Sequence, residues 1–144
     1  MNSAVTSETE DPLAGKHCVI QMPLGLLGFE QCKSFHLLAR PEEEPFLWMR
    51  AVGNPKLAFL VMSPFVAVSD YRPSLPEEDV RFLGLEGPQD ALIVNIVTVR
   101  APRQATLNLK GPIVLNRRTL TAKQVIPLNA SDFSVAHPLP VRGF

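Results

Sequence analysis

The sequence holds no stretch long enough to cross a membrane as a helix. Its longest runs free of Asp, Glu, Lys and Arg, His17–Phe29 and Leu57–Ser69, are 13 residues each, against about 18 for a span. Residues 1–15 hold no Lys or Arg and no apolar run, whereas an export signal needs a basic start followed by an apolar segment. The expected location is therefore the cytoplasm, with no membrane partner. There are only two cysteines, Cys18 and Cys32. No Cys-x-x-Cys pair occurs and no disulfide-dense pattern, so both read as reduced small hydrophobes. Excess charge is also missing, since 14 basic residues balance 14 acidic ones.

The signatures of chemistry are absent as well. His17, His36 and His137 are far apart in sequence, and no helical His-x-x-x-His spacing suggests a metal centre. No Gly-x-Ser-x-Gly elbow, P-loop or dinucleotide fingerprint occurs. Glu42-Glu43-Glu44 lies between Pro41 and Pro45, which reads as a solvated loop rather than an acid–base pair. No catalytic residue, cofactor or metal is expected, and the chain is read as a non-enzyme.

What is present is proline, 14 of 144 residues, about twice the usual share. Because proline removes a backbone donor and breaks helix interiors, an all-helical bundle is unfavoured. From His17 onward, short β-branched and aromatic runs alternate with Pro, Gly, Asn and Glu clusters, the pattern of many short strands. Strands are predicted at 17–22, 34–39, 46–52, 57–63, 66–71, 91–100, 104–109, 113–116 and 120–126. Residues 91–99 are apolar at both parities, which marks a central strand covered on both faces. One helix is predicted near residues 76–83, where Pro76 and three acids precede the apolar positions and Gly84 closes the end. The fold expected is an all-β, mainly antiparallel, compact barrel-like single domain over residues 16–144, preceded by a flexible tail at 1–15.

Charge is uneven along the chain. Residues 1–90 carry 7 basic and 13 acidic side chains, and residues 91–144 carry 7 and 1, so the segments stand at −6 and +6. Arg100, Arg103, Lys110, Arg117, Arg118 and Lys123 could form a phosphate-binding face, and a stand-alone RNA-binding β domain is the alternative function. Against it, no aromatic residue lies between Phe82 and Phe133, which removes the stacking platform of single-strand binders.

Specific strings then carry a resemblance. Leu24-Gly25-Leu26-Leu27-Gly28-Phe29-Glu30, Pro45-Phe46-Leu47-Trp48-Met49, Ser63-Pro64-Phe65, Asp70-Tyr71, Asn95-Ile96-Val97-Thr98-Val99, Thr106-Leu107-Asn108-Leu109, Pro112-Ile113-Val114-Leu115-Asn116 and His137-Pro138-Leu139 follow one another in order. In this the chain resembles the bacterial flagellar assembly factor family, FliW, over about Cys18 to Leu139. It departs from the pattern at Ala136, where a basic residue is usual, and at Phe133, where a tyrosine is usual. The resemblance implies a non-catalytic, chaperone-like β domain that binds cytoplasmic flagellin and, by partner exchange, the RNA-binding translational regulator CsrA. It implies no direct contact with nucleic acid.

Flagellin termini are amphipathic helices, so their receptor should present an apolar groove; Trp48, Phe65 and Tyr71 are the aromatic candidates, with core filling the competing reading for the first two. Tyr71, beside Asp70 and before Pro73, is expected at an exposed strand end. Glu77, Glu78 and Asp79 are the acidic candidates for a basic regulator, or alternatively stabilise the helix start. Asn108 and Asn116 are further candidates, with turn and backbone hydrogen bonding the competing role.

Overall fold

Strand pairing follows from which apolar residues fall opposite one another. A computed structural model describes residues 16–100 and 104–140. In it Ile20 faces Phe35, Phe35 faces Ala51, Leu37 faces Met49, and Met49 faces Phe59 across successive antiparallel strands. These residues share one face because side chains alternate at period two. The strands are β1 (Lys16–Gln21), β2 (Ser34–Ala39), β3 (Phe46–Ala51) and β4 (Ala58–Met62), a meander that continues into β5 (Ala91–Arg100). β6 (Gln104–Leu107) pairs with the C-terminal half of β5 and with β9 (His137–Leu139), whereas β7 (Ile113–Asn116) pairs with Ala91–Val94 and with β8 (Ala122–Gln124). Every ladder is antiparallel, and β5 is shared by both branches.

Three apolar clusters result. The main core joins Ile20, Phe35, Met49 and Val61 of the meander to Val94, Ile113 and Leu115. A second gathers Met62, Tyr71, Val97, Leu107 and Leu109, with Phe133 and Leu139 against them. A third, of Leu83, Val114 and Val125, lies beneath the helix α1 (Glu77–Leu83).

The expected barrel-like closure is not reached, because the sheet is not closed. β1 meets the β7–β8 connection only at a single parallel bridge between Gln21 and Thr121, with the Gln21 N–H donating to the Leu120 carbonyl at 2.9 Å. The helix forms where Pro76 and the acids place it. It ends at Gly84, whose φ of 68° is left-handed and whose N–H returns to Arg81, while the Leu85 N–H reaches the Val80 carbonyl, the hydrogen bonding of a glycine C-cap. The predicted strand over 66–71 is absent. Pro64 instead opens a 3-10 turn, Pro64–Val66, whose preceding Ser63 hydroxyl accepts the Phe65 N–H. The strand expected over 120–126 shortens to Ala122–Gln124: Leu120, with a φ of 61°, delays its start, and its ladder with β7 ends where Gln124 faces Ile113, the first residue of β7. β9 was not anticipated, since Pro138 breaks the apolar run, but a proline is tolerated on such an edge strand. β5 is central as predicted, although Thr98, Val99 and Arg100 at its end are exposed. The tail expected at 1–15 lies outside the described residues.

Candidate partner-binding surface

The two-turn helix is too short to cover the sheet it lies on, and an apolar groove of about 670 Å³ opens beside it. Val80 of α1, with Leu75 before the helix and Leu85 after it, forms one wall, and Ala91, Leu92 and Ile93 of β5 form the floor. Phe65 closes one side. The Ser63-Pro64 turn holds this ring out, 44% exposed, and its inner edge packs on Tyr71 with ring centroids 6.1 Å apart. A mostly apolar concavity of this size with few polar groups at its rim is what an apolar segment of a partner needs. Glu86 and Arg117 supply the polar rim.

Polar side chains fix the helix beside this groove. Asn116, fully buried at the end of β7, donates from Nδ2 to the Leu83 carbonyl at 2.8 Å. Its Oδ1 accepts the Arg118 and Thr119 N–H groups at 2.8 and 3.3 Å. The Arg118 guanidinium donates to the Gly84 carbonyl and to Asp90. The Asp90 carboxylate also accepts the Glu86 N–H at 2.9 Å. That backbone bond, followed by Arg118, holds the Asp90 carboxyl below the usual aspartate range. Asp79 is buried and paired with Lys123, whose ammonium also sits over the Phe82 ring.

These contacts sort the sequence candidates. Phe65 lines the groove and touches Tyr71 behind it, Asp70 is exposed next to Tyr71 in the chain, and Glu77 and Glu78 are exposed on the adjoining helix. Asp79 does not join them at the surface, because one of three successive helical residues must turn inward and Lys123 receives it there. Tyr71 is buried, contrary to the expected exposed strand end: its hydroxyl donates to the Leu109 carbonyl at 2.7 Å and its ring meets Phe133 edge-on at 4.9 Å. Burial pushes the phenol up from its usual range. Trp48 is half-buried in a separate shallow depression with Leu38, Arg50 and Pro55. Asn108 is half-buried away from the groove, its Oδ1 accepting the Lys110 N–H at 2.9 Å.

Leu75, Val80, Leu85, Leu92 and Ile93 were not singled out from the sequence. A signal did exist: a strand apolar at both parities needs cover on both faces, and a helix of two turns supplies only part of it.

Among the described residues no group of three or more His, Cys, Asp or Glu side chains converges as a metal site, and no helix is long and apolar enough to cross a membrane. Cys18 and Cys32 are free and half-buried, and burial raises the Cys18 thiol, away from the reactive thiolate. Of the basic residues considered for phosphate, Arg118 and Lys123 face Asp90 and Asp79, and Arg117 Nε donates to the Gln89 carbonyl. Arg103 lies outside the described residues.

A mostly antiparallel β domain whose single helix borders an apolar groove has the features of a protein-binding module. A profile for the FliW protein matches residues 6–139, and the chain belongs to the FliW family. A flagellar assembly factor FliW of Bacillus licheniformis is 40% identical over 116 residues, covering 80% of each chain. Another, of Leptospira interrogans, is 37% identical over 115 residues, covering 78% of this chain and 77% of the relative. A crystal structure of the flagellar assembly factor FliW superposes with a TM-score of 0.75 at 32% identity, covering 83% of this chain and 84% of that one.

Proposed function

We propose that this protein is a non-enzymatic, cytoplasmic flagellar assembly factor that holds flagellin by an apolar segment in the groove beside α1. By partner exchange it sequesters a CsrA-type RNA-binding regulator through the exposed acids of the same helix. The observation that carries this reading is the groove itself, with Phe65 exposed at its edge and Glu77 and Glu78 beside it, in a chain whose relatives are named flagellar assembly factors. An amphipathic helix laid into such a groove buries its apolar stripe and, by covering Phe65, turns that ring into a desolvated aromatic anchor. In this reading Glu77 and Glu78 supply the acidic contact, since Asp79 is buried against Lys123.

The test is a binding titration of purified flagellin and purified regulator against wild type, Phe65→Ala and the double variant Glu77→Gln/Glu78→Gln, at low and high salt. Phe65→Ala should weaken flagellin by about tenfold or more, the loss typical of an interface anchor. The double variant should slow regulator association and leave flagellin nearly unchanged, and added salt should erase the difference, since exposed charges are screened within about 8 Å at physiological ionic strength. If wild type binds neither partner, the reading fails. RNA captured by wild type and retained at moderate salt would favour the nucleic-acid alternative.

A further inference from the structure

His17 and His36, 19 residues apart in sequence, meet on the outer face of the β1–β2 ladder. In the register His17 lies opposite Leu38 and His36 opposite Val19, so the two imidazoles are diagonal neighbours on one face, within reach of each other. Their nearest nitrogens, His17 Nε2 and His36 Nδ1, are 3.0 Å apart, with ring centroids at 5.1 Å and the planes inclined by 31°. Two nitrogens bound to one metal ion at about 2.1 Å and at a right angle are themselves about 3.0 Å apart. The pair therefore already has the separation of a chelate.

We propose that His17 and His36 form a two-histidine site for a divalent transition ion, Cu²⁺ or Ni²⁺ ahead of Zn²⁺, with its remaining positions open to solvent. In the unliganded pair one nitrogen carries the bridging proton. On binding, the donor imidazole changes tautomer, the bridging proton leaving that nitrogen while one is taken up from solvent at its other ring nitrogen, so both rings stay neutral; small rotations of the two side chains then turn both lone pairs toward one point between the rings. Imidazole suits these metals, and among them the order of affinity follows the general rise toward copper. Neutral imidazoles are needed, and His36 is held below the ordinary 6.5 of histidine, first by burial and then by His17 and Arg50. Arg50, directly opposite His36 on β3, is the cation facing the site, and its charge opposes the incoming ion. β1 is tied to the sheet by β2 and the single bridge at Gln21, so an ion held by both histidines would fasten an edge strand. This inference is independent of the flagellar reading.

The experiment is a titration of the untagged full chain with Cu²⁺, Ni²⁺ and Zn²⁺ at neutral pH, followed by calorimetry and by the NMR signals of the three histidines. The expected result is one equivalent bound, with paramagnetic broadening at His17 and His36 and sharp signals retained at His137. Loss of an outer-shell partner alone costs about 10–100-fold in metal affinity, so His17→Ala and His36→Ala should each lose at least that. Arg50→Gln should tighten binding while leaving both ligands in place. Equal broadening at all three histidines, or affinity unchanged in His36→Ala, would overturn the proposal.

Discussion

Replacing Asn116 by alanine is the most direct test of how the helix is held beside the groove. The substitution removes a 2.8 Å bond to the buried Leu83 carbonyl and two bonds, at 2.8 and 3.3 Å, that order the turn after β7. The turn amides of Arg118 and Thr119 lie near the surface and can be rehydrated, so the loss of the two bonds together comes to about 1 kcal/mol, at the low end of the net value per hydrogen bond. The Leu83 carbonyl is different. It is buried, and an orphaned buried acceptor costs about 1–3 kcal/mol. Together these give a loss of about 2–4 kcal/mol, a large share of the total stability of about 5–15 kcal/mol typical of a single domain. With a urea dependence of about 2 kcal/mol per molar, the midpoint should fall by about 1–2 M. The lone tryptophan, Trp48 on β3, reports the transition. A shift below about 0.3 M would refute the reasoning, because it would mean that packing under Leu83, and not Asn116, anchors the helix.

Two further outcomes follow from local geometry. Gly25 has a φ of 68°, and a Cβ there would lie 2.6 Å from the Glu30 Cα; Gly25→Ala should therefore lose at least about 1–3 kcal/mol in a denaturation experiment, and wild-type stability would show that the loop can shift. His36 is held below its ordinary 6.5 in the folded chain, so its neutral form favours the fold, and that contribution is present above pH 6.5 and lost as pH falls through 6.5 toward the folded value. The denaturation midpoint should accordingly decline from about pH 8 to about pH 5, and less so in His36→Gln, whereas Asp90, lowered from its ordinary 3.8, adds its loss only in a separate, more acidic window. An unchanged slope in His36→Gln would refute the assignment of the first window.

Much of the fold was legible because most of its elements are locally determined. Ser34–Ala39, Ala91–Arg100 and Ile113–Asn116 have the predicted bounds, since their apolar periodicity agrees with where they pack. α1 was legible from Pro76, its acids and Gly84, each of which acts within one turn. Residues 66–71 have a strand's composition, but Ser63 and Pro64 start a turn before it can act, and propensity yields to the cap. The site was less legible because its determinants are long-range. Tyr71 has polar and proline neighbours in sequence, yet its hydroxyl partner is Leu109 and its ring partner Phe133. Neither contact has a local signature. The meeting of Asp79 with Lys123 and the capping of α1 by Asn116 likewise depend on which strand the helix lies upon.

The groove follows from a mismatch of lengths. Seven helical residues at about 1.5 Å each span about 10 Å, whereas the ten residues of β5 at about 3.3 Å extend over about 30 Å. A helix of that length, packed against β8, leaves Ala91, Leu92 and Ile93 at the start of β5 with part of their surface open between Val80 and Phe65. Lengthening the helix would close the gap, but Gly84 ends it and the Asp90, Arg118 and Asn116 side chains hold that end by polar bonds to Leu83, Gly84 and Glu86. Polar anchoring at the end of α1 leaves Val80 of the helix, with Leu75 before it and Leu85 after it, only partly covered by the protein itself. Half-buried apolar side chains gathered around one concavity are what a partner's apolar segment can cover, which is why the groove, more than the acidic helix start, carries the proposed reading.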